Sequence, residues 1–287
     1  MYGDVSVDNR NETRDARDPR DPRDVRGISL FPHFNHGNVG SRFFLRTAFA
    51  FLLSSGIFSV FAALVCIQKN NVSEAYVQVL SVIINWVAAY HYFEIVKARE
   101  RGTGADVELK IDALRYGDWT ITMPFLTLKL YGIINRDAST YDSIFSDPEI
   151  AAVTSVIMVV LGAFVRLGLD ELSGWRRMSY ISKIAGVSAL TLSCVCLLLL
   201  LIDLGRAAGT HPDSQILFSL IFVWLGYPLV TFLASVWRHS DDVETPYDLR
   251  LSIVKDASFS CLDVYAKGVF ALYSGSVVFG ASFFSTR

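Results

Sequence analysis

Cysteine is scarce in this chain of 287 residues: Cys66, Cys194, Cys196 and Cys261 are the only four, and each lies inside an apolar stretch. They have neither the paired spacing of a zinc site nor the loop setting of a disulfide framework. No metal is expected, and the four read as small buried hydrophobes. Charge is thin as well. Asp, Glu, Lys and Arg make up 19% of the chain, against about 25% in an ordinary soluble domain. They nearly cancel, at a net charge of -2 with the basic residues dispersed, so no nucleic-acid partner is implied. The first 40 residues contain no long apolar run, and with it lack the core of a signal peptide.

What the chain has in abundance is apolar length. It is 52% hydrophobic with a mean hydropathy of +0.38, which points to a multi-pass integral membrane protein in contact with lipid. Residues 1–40 form a polar N-terminal tail, with the near-repeat Arg17-Asp18-Pro19-Arg20-Asp21-Pro22-Arg23-Asp24. Alternating charge broken by proline buries no core, so this tail is expected to be disordered. Asn11-Glu12-Thr13 within it matches the short glycosylation pattern. Residues 41–287 form the second region. Seven runs there, about 43–67, 75–96, 113–134, 150–169, 181–204, 216–236 and 257–284, each reach the ~20 residues a bilayer requires. The fold class is therefore an all-α membrane protein, a seven-transmembrane-helix bundle whose short connections make neighbours antiparallel.

Ionisable groups inside these runs need a reason, because charge at membrane depth is costly. At ~100° per residue, Arg115, Asp118, Thr122, Leu126 and Lys129 fall on one stripe of the third helix. Asp263 and Lys267 lie one turn apart in the seventh. By composition alone a structural buried ion pair accounts for these as well as a functional path does. Pro124 and Pro228 each remove a backbone hydrogen bond from a helix interior. His91, read by itself, is a satisfied structural histidine. Trp224 and Tyr227, one turn apart around Gly226, read as bundle packing, and Arg166 as a side chain that snorkels to the interface.

Taken together, Arg115-Tyr116-Gly117-Asp118-Trp119-x-x-Thr122-x-Pro124 in the third helix, Trp224-x-x-Tyr227-Pro228 in the sixth and Asp263-x-x-x-Lys267 in the seventh resemble the microbial (type 1) rhodopsins, over about residues 43–284. The resemblance implies seven helices around a retinal pocket in the bundle core, with retinal bound to Lys267 as a protonated Schiff base. It implies that Asp118 is the primary counterion and proton acceptor, Asp263 the second counterion, Arg115 the residue that steers protons outwards and Thr122 a hydrogen-bond partner of the acceptor. Trp119, Trp224, Tyr227 and Pro228 match the walls of the retinal pocket, and Leu126 the position near its ring. Tyr90-His91-Tyr92 resembles the Trp-His-Tyr of proteorhodopsins and xanthorhodopsins, so His91 is expected to bond Asp118.

Three positions depart from the common pattern. Lys129 stands where the usual proton donor is an acid, a substitution few pumps of the family share, and Lys255 stands at one of the paired glutamates of haloarchaeal proton release. Met123 occupies a pocket position where many channelrhodopsins carry a cysteine. The expected function is a light-driven outward proton pump, an ion transporter rather than an enzyme, with protons as the transported ion and a homo-oligomeric assembly. A light-gated channel and a sensory photoreceptor are the alternatives; the latter would need a transducer, and the chain has no appended signalling domain. Lys129 is expected to relay protons to Lys267, an interfacial anchor being the alternative. The family places its N-terminus outside, yet Lys97, Arg99, Arg101, Lys110, Arg176, Arg177, Arg238 and Arg250 would then outnumber Lys69, Arg136, Arg206 and Arg287 on the inner side, the reverse of the positive-inside rule.

Overall fold

The computed structural model describes residues 36–102, 104–134, 144–145, 147–170, 179–210, 214–240 and 249–284. Most of the expected tail, with its Asn11 pattern, lies outside the described residues. Seven helical rods follow: α1 (His36–Gln68), α2 (Val72–Arg101), α3 (Ala105–Ile134), α4 (Pro148–Ala163), α5 (Tyr180–Thr210), α6 (Ser214–Ser240) and α7. The last runs from Leu249 to Asp263, widens into a π-helical turn at Val264–Val269 and resumes as Phe270–Phe284. A second π-helical stretch, Phe164–Asp170, extends α4. No strand occurs among the described residues.

Local chemistry sets several of the boundaries. The Asn71 side chain accepts a hydrogen bond from the Glu74 amide at 3.2 Å, capping α2, and Pro148 opens α4 where its missing N–H is not needed. Consecutive rods pack side by side, and α7 returns to α1 to close the ring. The exterior is apolar, with Phe61, Leu64, Val153, Leu198, Phe222 and Phe232 all more than half exposed. The interior holds the charge: Arg115, Asp118, Lys129, Asp256, Asp263 and Lys267 are all buried. That inversion of a soluble core suits a bundle whose solvent is hydrocarbon. Rods α1, α2, α4, α5 and α6 are long and apolar enough to cross a membrane, while α3 and α7 carry most of the ionisable residues of the core.

The π turn of α7 positions the site. It releases backbone carbonyls from the regular ladder, and the Asn85 amide on α2 reaches the Lys267 carbonyl at 3.4 Å. Beside it, Gly268 is required for close approach: a methyl there would sit 2.6 Å from the Phe51 ring and 3.2 Å from Ser55 Oγ on α1. The seventh rod is thus held against α1 and α2 at the turn that carries Lys267.

Candidate functional site

Lys267, only 2% exposed, points into a pair of carboxylates. Its amine ion-pairs with Asp118 on α3 and lies 3.0 Å from Asp263 Oδ1. The two acids are held differently. Asp263 accepts hydrogen bonds from the Tyr92 hydroxyl at 2.8 Å, the Tyr227 hydroxyl at 2.8 Å and the Trp119 indole at 3.3 Å, which come from three different helices. Asp118 has one oxygen on Lys267 and the other, Oδ1, without a hydrogen-bond partner. Three donors fix the position of Asp263. Asp118 is the carboxylate with a free oxygen to receive a proton.

An aromatic wall adjoins the cluster. Trp119 and Tyr227 meet edge to face with centroids 5.0 Å apart, and Phe259 packs on Trp119 at 5.3 Å. Trp119 and Tyr227 also border a cavity of about 400 Å³ between α3, α4, α5 and α6, whose other walls include Met123, Met158, Trp224 and Pro228. The Trp224 indole N–H is buried there without a partner. An apolar cavity bordered by two residues bonded to Asp263, which itself lies beside Lys267, fits a large hydrophobic group attached at Lys267. Leu126 is buried one turn beyond Met123 and packs in the core instead of lining the cavity.

Several side chains make contacts other than those expected. The Thr122 hydroxyl donates to the Asp118 backbone carbonyl at 2.9 Å, not to its carboxylate, because a helical threonine reaches the preceding turn of its own backbone. His91 does not bond Asp118: its Nδ1 lies 2.9 Å from the Val87 carbonyl of its own helix, and its Nε2 faces Gly117, 3.6 Å from where a Cβ would be. Lys129 is 1% exposed, with its amine 3.4 Å from the Phe270 carbonyl and 4.1 Å from the centre of that ring. It is therefore no interfacial anchor. Arg166 does not snorkel either; it turns inwards to Asp112, with Nη2 2.9 Å from Oδ2.

Arg166 belongs to a buried ionic network that no motif announced. Asp256 on α7 accepts hydrogen bonds from Arg115 Nη2 at 2.6 Å and Arg99 Nε at 3.0 Å, together with the Ser41 hydroxyl of α1. Arg99 also pairs with Glu108, which the Ser252 hydroxyl meets at 3.0 Å. Lys255 lies 2.5 Å from Asp112 and 3.7 Å from Glu108. Counted above among the loop charges, Arg99 is fully buried here and contributes nothing at the interface. The signal was present in the sequence. Glu108 and Asp112 continue the stripe of α3 backwards from Arg115 by two turns, into residues that the apolar run starting near 113 leaves out. Removing one member strands its partners, so Asp256→Ala is expected to destabilise the bundle by about 3–5 kcal/mol. Thermal inactivation in detergent at neutral pH checks this, with Lys97→Ala, a surface ion-pair member, as the variant that should change little.

Seven helical rods among the described residues, enclosing a carboxylate-flanked lysine beside an aromatic cavity, define a retinal-binding rhodopsin. The chain belongs to the bacteriorhodopsin-like family, whose model matches residues 43–280. Among solved structures, thermophilic rhodopsin is similar at 16% identity, with 88% of this chain and 98% of that one covered and a TM-score of 0.61. Xanthorhodopsin, a light-driven ion pump with dual chromophore, is similar at 18% identity, 88% and 97% coverage and a TM-score of 0.61. The rhodopsin of Exiguobacterium sibiricum is similar at 14% identity, 83% and 97% coverage and a TM-score of 0.55. No curated protein matches the sequence. The cofactor is retinal, held in this family as a Schiff base on a lysine, and Lys267 is the lysine this chain offers for it.

Proposed function

We infer that the protein is a light-driven outward proton pump. The observation that carries the reading is the unequal pair of carboxylates on Lys267: Asp263 bonded by three donors, Asp118 with an uncommitted oxygen. Retinal bound at Lys267 supplies a light-driven change in the position and acidity of the Lys267 nitrogen's proton. Asp118 is the group placed to accept that proton, while Asp263, Tyr92 and Tyr227 hold the local charge in position. Arg115, clamped to Asp256, keeps a fixed positive charge on the release side and favours movement of a proton away from Asp118. Trp119, Trp224, Tyr227 and Pro228 confine the chromophore, and Met123 extends that wall.

Lys129 serves the return half. It sits eleven residues beyond Asp118, about 16 Å along α3, buried and without a carboxylate in ion-pair reach among the described residues. The amine can take a proton and pass it towards Lys267. Under this reading Lys129→Ala slows recovery of the dark-state absorption after a flash by about 10²-fold, without altering the earlier, outward phase. Flash photolysis of the two proteins checks it.

The network around Arg99, Glu108, Asp112, Arg115, Lys255 and Asp256 supports a pump over a channel, since charges bonded to one another across α2, α3 and α7 cross-link that end of the bundle. With the N-terminus outside, as the reading requires, this end faces outwards and Lys129 inwards. The deciding experiment is light-induced pH change in retinal-fed cells with photocurrent at zero voltage and no ion gradient. Acidification of the medium that a protonophore abolishes, with such a current, supports the pump. Current only down a gradient marks a channel, and neither signal a sensor.

A further inference from the structure

The inner face of α2 carries polar residues at a helical spacing that the reaction described above does not use. Glu74, Gln78, Ser81 and Asn85 fall at i, i+4, i+7 and i+11 on one stripe. Glu74 lies half-buried in the first turn of the helix, and the other three have no exposed surface. Ser81 donates to the Val77 carbonyl at 3.0 Å, and Asn85 donates to the Ser81 carbonyl at 2.8 Å and to the Lys267 carbonyl at 3.4 Å. Gln78 is different. Neither its amide nitrogen nor its oxygen has a hydrogen-bond partner, and Asn85 Oδ1 has none either.

Lys129 lies at the same level. A methyl on Gly132 would meet Val77 at 3.3 Å, and one on Gly117 would meet His91 at 3.6 Å, so α2 and α3 run antiparallel in a register that sets Lys129 level with the Gln78–Ser81 turn. The Asn85–Lys267 contact likewise sets Gln78 level with Ser274 of α7, itself buried and bonded to the Ala271 carbonyl at 3.0 Å. The region between α2, α3 and α7 therefore holds one amine, several carbonyl acceptors and an amide with all of its donors and acceptors unused. Buried polar groups in such a state are satisfied by internal water.

We propose that the Glu74–Gln78–Ser81–Asn85 stripe of α2 is a water-holding inlet that feeds protons to Lys129, with Gln78 as the positioning residue that anchors the water beside the lysine amine. This rests on Lys129 acting as the return relay. In each turnover the Glu74 carboxyl gives a proton to the water chain and regains one from bulk solvent. The Lys129 amine takes one proton from that chain and releases one towards Lys267, so every group ends as it began. An amide suits the anchoring role because it donates and accepts at once and does not titrate, so it can orient water for either direction of transfer.

The test combines kinetics with a measurement that needs no retinal. In wild-type protein prepared without retinal, solid-state NMR transfer of magnetisation from water to the Gln78 and Lys129 side-chain nitrogens is expected for both. In Gln78→Leu, of similar size but without the amide, the transfer to Lys129 is lost. After a flash, the retinal-bound variant recovers about tenfold more slowly, and Gln78→Asn returns most of the rate. No water transfer to Gln78 in the wild type overturns the proposal, even if Gln78→Leu fails to assemble. Unchanged recovery in Gln78→Leu overturns it too, and if Lys129→Ala is slow in the same series the relay survives alone. Normal recovery in Lys129→Ala removes the relay itself.

Discussion

Lys267→Ala is expected to yield a folded protein with no visible absorption and no hydroxylamine-sensitive band. Two other lysines are buried in the bundle, and neither is placed to substitute. Lys255 is held by Asp112 and Glu108 at the far end of the ionic network, and Lys129 is turned to the Phe270 carbonyl. Removing the amine also leaves Asp118 and Asp263 facing one another without their shared cation. One of them must then bind a proton or the bundle loses stability, by about 3–5 kcal/mol if both stay charged. Circular dichroism and gel filtration therefore accompany the absorption measurement. A well-folded Lys267→Ala that keeps its colour would remove the chromophore assignment and every role built on it.

For Asp118→Asn the expected result is a red-shifted band with proton transport lost. The Asp118 carboxylate, ion-paired with Lys267, stabilises a cation there in the dark state; two unit charges about 4 Å apart are worth on the order of 4 kcal/mol at an effective dielectric of 20. Less of that is felt after excitation, once positive charge moves along the polyene, so its loss narrows the gap and moves the band to longer wavelength. The asparagine accepts no proton, and net transport falls at least ~10²-fold. Acid should mimic the substitution. As pH falls and Asp118 protonates, the wild-type band moves to the red and returns as pH rises, whereas Asp118→Asn shows no such titration. A wild-type spectrum that stays constant under acid, or an unshifted Asp118→Asn band, would place the counterion elsewhere.

Much of this was legible before any coordinates. The seven apolar runs gave the helices to within a few residues at most ends, and the stripe Arg115–Asp118–Thr122–Leu126–Lys129 gave the buried face of α3. Periodicity tells which face a side chain occupies and how deep it lies, and there it stops. It does not tell which atom it reaches across the bundle. Thr122 had the right face and the wrong acceptor, and His91 the right neighbourhood and no bond to Asp118. Glu108, Asp112 and Asp256 were passed over because hydropathy ended the runs where charge began, although in this bundle the charge is the core. Arg99 counts among the outer-side cations by sequence for the same reason, since its partners Glu108 and Asp256 come from α3 and α7 and only the fold brings them within 3 Å of it.

The π turn at Val264–Val269 has a consequence for how the chain tolerates changes of length. A π turn is an α-helix with one residue too many, so this is a place where the backbone would become more regular by losing a residue. Deleting Val264 would let α7 close into a continuous ladder. The stretch from Phe270 onwards would keep its facing, because the wide turn had absorbed the extra residue, but the side chains inside the turn would be re-aimed, and Lys267 would shift against Asp118 while Asp263 stayed in place. A repair of the helix would thus undo the site, which makes the irregular turn a feature that selection on stability alone would erase and selection on light response would keep.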